Sequence, residues 1–189
     1  MTFSRRNLIK AGAGLSVVPA LGLTVPAQAQ AVMADALSAM ASDPRLTLWV
    51  QLIAAGGLEA SARASTPYTV FPASDTAFAK YPAITKDLLG FLYETGTRNG
   101  ASAFPDTAKI VKLVRSHVVA GKHFPSEMMG NKITVTSVAG TPISFDGTTK
   151  PVTVSWTSVD NGKAMHATLV DQPIIATNAV IYVLDDIDI

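Results

Sequence analysis

The sequence predicts an α+β domain, helical in its first half and strand-rich in its second. Up to Ser116, apolar residues recur at the spacing of amphipathic helices. From His117 onward the period changes to two and β-branched residues dominate. Helices followed by strands, rather than alternating with them, argue against βαβ units.

Residues 1–29 read as a targeting segment and are set aside from the fold. Ser4-Arg5-Arg6-Asn7-Leu8-Ile9-Lys10 places an arginine pair ahead of an apolar run, Ala11 to Val25. That run is shorter than the ~20 apolar residues a membrane-spanning helix needs. Ala27-Gln28-Ala29 then fits a signal peptidase site, and the arginine pair points to the twin-arginine route, which carries folded proteins. No Cys follows the run, so no stable membrane anchor is expected and the protein should be periplasmic or secreted. Residues 30–189 are expected to form a single domain.

Within that domain, Ala31 to Ala41 has Val32, Met33, Ala36, Leu37 and Met40 at helical spacing. Asp43 and Pro44 open a second helix as N-cap and first residue, and Gly56-Gly57 ends it. Tyr68 to Phe71 reads as a short strand. Ser74-Asp75 caps a brief helix through Lys80, and Ile84 to Tyr93 reads as another. Glu94 to Pro105 is polar and contains glycines, hence a loop, and Asp106 caps a helix through Ser116. The expected strands are Lys132–Thr136, Pro142–Phe145, Val152–Trp156, Met165–Val170 and Ala179–Leu184. Ala139-Gly140, Asp146-Gly147 and Asp160-Asn161-Gly162 are the turns between them.

Charge and cysteine usage exclude several partners. The formal net charge is +1, and loss of Arg5, Arg6 and Lys10 with the targeting segment makes it slightly negative. A nearly neutral domain without a Lys/Arg cluster suits neither nucleic acid nor an anionic membrane surface. With no cysteine there is no disulfide framework, so a hydrophobic core must hold an exported domain together. The 48% hydrophobic content is enough to build one.

Three segments resemble the homology motifs of fasciclin (FAS1) domains, in the family's order. Thr69-Val70-Phe71-Pro72-Ala73-Ser74-Asp75-Thr76-Ala77-Phe78 resembles the first motif, a strand running into a capped helix. Leu113-Val114-Arg115-Ser116-His117-Val118-Val119-Ala120-Gly121 resembles the central Tyr-His motif. Ile175-Ala176-Thr177-Asn178-Ala179-Val180-Ile181-Tyr182-Val183-Leu184-Asp185 resembles the second homology motif. The resemblance implies a wedge of β-strands flanked by helices. It has departures. Pro72-Ala73 replaces the usual Ala-Pro, and Ser116 stands at the Tyr of the central motif, so the surface contact attributed to that Tyr does not carry over. Asn178-Ala179 replaces the usual Asn-Gly, Tyr182 replaces a His, and Pro173 takes the place of an acidic residue. No Arg-Gly-Asp occurs, so integrin-style recognition is not expected.

Catalytic candidates are few. His117, His123 and His166 are the only imidazoles, and the six-residue step from His117 to His123 matches no common zinc spacing. His117 reads as a core histidine whose ring nitrogens bond backbone groups. No Gly-x-Ser-x-Gly elbow or Gly-rich phosphate loop is present, so no cofactor and no enzymatic activity are expected. Asp185-Asp186-Ile187-Asp188 lacks the glycine and distal Glu of a calcium loop and reads as a solvated acidic tail.

Val118, Val119, Trp156 and Tyr182 form the candidate interaction region, with Trp156 and Tyr182 able to line an apolar groove unless they pack as ordinary core aromatics. By resemblance, the expected function is a non-enzymatic interaction module for adhesion or attachment to a matrix, a glycan or a partner protein. The alternative is a periplasmic carrier of a small apolar ligand. An apolar pocket of several hundred Å³, the size of ordinary ligand sites, would favour the carrier.

Overall fold

A computed structural model describes residues 34–89, 106–158 and 162–187. The targeting segment, the expected loop at Glu94 to Pro105, and Asp160-Asn161 lie outside the described residues. Helices α1 (Ala36–Ala41), α2 (Thr47–Ala55) and α3 (Glu59–Arg63) precede β1 (Tyr68–Val70). Helices α4 (Asp75–Ala79), α5 (Pro82–Leu89) and α6 (Thr107–Ser116) follow, and then β2 (Val118–Ala120) and the short α7 (Pro125–Met128). The remainder is β3 (Lys132–Thr136), β4 (Pro142–Asp146), β5 (Thr153–Thr157), β6 (Ala164–Thr168), β7 (Ile174–Ile175) and β8 (Ala179–Ile181).

Two four-stranded sheets result. One has the order β2-β1-β8-β7, with β1 and β8 parallel and the outer pairs antiparallel. The other is the antiparallel meander β3-β4-β5-β6. The C-terminal motif explains how the layers stack. Ala179, Ile181 and Val183 belong to the cluster packed against the helices, while Val180, Tyr182 and Leu184 belong to the cluster between the sheets. A strand covered on both faces needs a continuous apolar run, which is what this segment has. The expected strand to Leu184 ends at Ile181 because the ladder loosens there, although Tyr182 and Leu184 still donate to the Val70 and Pro72 carbonyls at 2.9 and 2.8 Å.

Caps agree with the sequence where short polar residues precede helices. Ser74 accepts from Ala77 N–H at 3.3 Å and Asp106 from Lys109 N–H at 3.1 Å, whereas Asp35, which the sequence places inside the first helix, is its N-cap and accepts from Ser38 N–H at 2.9 Å. Asp43 caps only a 3-10 turn, Pro44–Leu46, and holds the Arg45 guanidinium at 2.6 Å. The cap for α2 comes from elsewhere: Asp75 of α4 accepts Leu48 N–H at 2.9 Å. The first described helix starts at Ala36, and residues 31–33 of the expected span lie outside the described residues; α5 starts at Pro82 rather than Ile84, and the expected end at Tyr93 also lies outside them. The acidic tail is tied down rather than merely solvated. Asp185 accepts from the Thr168 N–H and hydroxyl at 2.6 and 2.9 Å, and Ile187 is fully buried. Gly147 lies so close to the α7 exit that a Cβ would collide with the Met128 carbonyl oxygen and stand 2.9 Å from Gly130 N. Among the described residues no helix is long and apolar enough to cross a membrane.

Candidate binding site

The central motif is the junction between the two apolar clusters. Helix α6 puts Ile110, Leu113 and Val114 on its buried face and delivers His117 at its C-cap, only 3% exposed. His117 Nδ1 lies 3.0 Å from the Leu113 carbonyl and 3.0 Å from Ser116 Oγ. Its ring stands edge-on between Trp49 and Trp156, at 5.3 and 5.5 Å between centroids. It is a core histidine, as the sequence suggests, but the backbone bond is made by Nδ1 and not by both ring nitrogens. Ser116, at the position of the motif's Tyr, is buried and donates to the Leu113 carbonyl at 2.7 Å.

The four residues of the expected interaction region separate across β2. Val119 turns into the layer between the sheets with Trp156 and Tyr182, whereas Val118 packs toward the helices. Tyr182 is fully buried, stacked on Phe71 at 5.6 Å and met edge-on by Phe145 at 5.7 Å. Its hydroxyl donates to the His123 carbonyl at 3.0 Å, and burial pushes its phenol well above the ordinary range. Trp156 is 8% exposed. Trp156 and Tyr182 thus pack as ordinary core aromatics rather than lining a groove, and of the four Val118 is the one that lines the pocket described next.

That space is an apolar pocket of about 400 Å³ on the helical side of the β2-β1 edge. Its floor is Met40, Trp49, Ile53, Val70 and Val114, all buried. Leu58 and Ala62 add one wall and Val118 the other. The mouth is ringed by exposed residues, among them Val138, at 55% the most solvent-open large apolar side chain of the described residues. Sequence reasoning missed this site. Its floor residues sit at ordinary core spacing, and spacing cannot tell a filled interior from an unfilled one.

The chemistry available there is that of holding rather than converting. The titratable residues of the lining are Tyr68 and Arg115. Tyr68 donates to the Ala62 carbonyl at 2.9 Å, and burial, helped by the charge of Asp35, pushes its phenol far above the ordinary range. Arg115 is exposed at the mouth, and its guanidinium makes no ion pair among the described residues. No carboxylate or imidazole belongs to the lining that could act as a base. Among the described residues no group of three or more His, Cys, Asp or Glu is placed to hold a metal ion.

Comparison with known proteins agrees with the fold. The fasciclin domain family matches residues 44–187. "Uncharacterized protein sll1735" of Synechocystis sp. is 31% identical over 146 residues, spanning 77% of this chain and 90% of that protein. "Protein sll1483" of the same organism is 28% identical over 141 residues, 73% of this chain and 63% of that protein. Among solved structures, the FAS1 domain pair of the insect cell adhesion molecule fasciclin I superposes with a TM-score of 0.61 at 13% identity. The match covers 84% of this chain and 51% of that one, so the chain spans about half the length of the pair. On the family match and the shared fold together, this chain belongs to the fasciclin domain family.

Proposed function

We propose that the protein is an exported, non-enzymatic binding domain, and that it acts as a carrier or receptor for a small apolar ligand held in the pocket between α1, α2, α3, α6 and the β2-β1 edge. The observation that carries this reading is the cavity of about 400 Å³, within the range of small-molecule sites, floored by the side chains of Met40, Trp49, Ile53, Val70 and Val114. The sequence put attachment first and the carrier second, and the cavity reverses that order. Export rests on Ser4–Lys10 and Ala27-Gln28-Ala29, with residues 1–29 removed and 30–189 as the working domain.

The test is native mass spectrometry of protein recovered from the envelope without detergent. A small apolar molecule should accompany the wild type and be missing from Ala62→Leu, which fills the wall. Protein that emerges empty, and that fails to take up an apolar fluorescent probe, would reject the carrier.

The second reading, attachment to a protein or glycan, is favoured by the outer face of the meander. There Thr134, Ser144, Ser155 and His166 stand in one cross-strand row. Adhesion as a use of this fold is known from the insect cell adhesion molecule fasciclin I. Ser144→Arg should abolish attachment to envelope material if that face is the binding surface, and should leave ligand uptake untouched.

A further inference from the structure

The pocket's shape and its single charge restrict what it can take. An apolar cavity of about 150 Å³ accommodates benzene, so about 400 Å³ limits a ligand to on the order of fifteen carbon atoms. The floor of Met40, Trp49, Ile53, Val70 and Val114 offers mainly dispersion contacts, and its one polar side-chain group is the Trp49 indole N–H, buried and without a hydrogen-bond partner among the described residues. Charge is confined to the mouth. There Arg115, in the last turn of α6, is the one cation of the lining. The other arginines of the described residues are engaged, Arg45 with Asp43 and Asp171, and Arg63 with Asp35 at 2.9 Å. No Asp or Glu belongs to the lining, so a carboxylate at the mouth meets no like charge there.

We infer that the ligand is a single-chain carboxylate amphiphile, its tail on Trp49 and Ile53 and its head on the Arg115 guanidinium. This deepens the carrier reading and rests on it. A guanidinium accepts a carboxylate in a two-pronged arrangement, stronger than a neutral hydrogen bond, although exposure at the mouth weakens it. The head therefore selects the ligand class, while the tail supplies most of the affinity.

The test compares dodecanoate, dodecanol and dodecyltrimethylammonium, each below its aggregation threshold, by calorimetric titration of the purified protein. Dodecanoate should bind roughly threefold to tenfold tighter than dodecanol, and the cation weakest of the three. Arg115→Gln should erase the advantage of dodecanoate without changing dodecanol, with the melting temperature as a check on the fold. Equal binding of the three by the wild type, or indifference to Arg115→Gln, overturns the head-group assignment and leaves the apolar pocket standing. Absence of all binding, or binding that Val118→Phe and Ala62→Leu both leave unchanged in folded protein, overturns the pocket reading as well.

Discussion

Asn178 is a side chain on which much of the N-terminal half depends, and replacing it with Ala should be severe. Its Oδ1 accepts the Ala36 N–H at 2.8 Å, and its Nδ2 donates to the Ala62 and Ala64 carbonyls at 2.9 and 2.7 Å. The Ala36 N–H belongs to the first residue of α1, and both carbonyls lie at the end of α3, so all three are groups that a helix leaves without an internal partner. In Asn178→Ala the Ala62 carbonyl keeps the Tyr68 hydroxyl, and the half-exposed Ala64 carbonyl can take up water. Ala36 is fully buried, so its N–H is stranded. The cost should be about 2–3 kcal/mol, a large share of the ~5–15 kcal/mol that holds a domain. At this size that lowers the melting temperature by about 5–10 °C. Asn178→Asp keeps the acceptor but faces two carbonyls with a carboxylate, and should be at least as damaging. Thr177→Ala, which removes an exposed bond to the Ala34 carbonyl, should cost under about 1 kcal/mol. Urea unfolding read by circular dichroism measures all three. If Asn178→Ala lies within about 0.5 kcal/mol of wild type, the clamp does not stabilise the domain and the reasoning fails.

Other consequences can be measured in the same way. His117→Ala leaves the Leu113 carbonyl to the Ser116 hydroxyl but empties the space between Trp49 and Trp156, and should cost about 1–3 kcal/mol while ligand uptake by the folded fraction survives. Full stability with uptake abolished would make His117 functional. Gly147→Ala should force β4 and α7 apart and destabilise by about 1–3 kcal/mol in a thermal melt, whereas Ala at the open Gly162, strained only by its positive φ, should cost less. The Arg45 side chain, bonded to Asp43, holds that carboxyl below its ordinary value, so its contribution is present above about pH 4 and lost as pH falls further. Arg45→Met should flatten that part of the acid-unfolding curve. Replacing Arg5 and Arg6 together with Lys should leave the precursor in the cytoplasm on fractionation, and unchanged export would point to the general secretory route.

The layers of the fold were legible because the chain repeats its physical reasons locally. The meander from Lys132 to Thr168 alternates in period two, and its strands fall within one or two residues of where the alternation puts them. Some elements shorter than a clear period, and without a cap or turn signal of their own, escaped. Strand β2 is three residues long and α3 five, and each holds its shape through long-range partners such as Thr69, which pairs with Val119, and Asn178, which holds the end of α3. The same limit applies to the site. Tyr182 and Trp156 are strand aromatics of the kind that line grooves, yet here the sheets close over them, because both faces of the C-terminal strand are covered. Val118 differs from Val119 only by the parity of β2, and parity alone decides that one borders the pocket and the other does not. An unfilled volume is a property of how helices and sheet meet, and no single segment encodes it.

Ligand should enter the space over Trp49 and Ile53 rather than the layer between the sheets. Methyl carbon–proton NMR spectra of protein titrated with dodecanoate test it most directly. Saturable shifts are expected at Ile53, Val70, Val114 and Val118, with Ile143 and Val154 of the inter-sheet core unmoved. Shifts confined to Ile143, Val154 and their neighbours, or no shift at any methyl while dodecanoate is in excess, would contradict it.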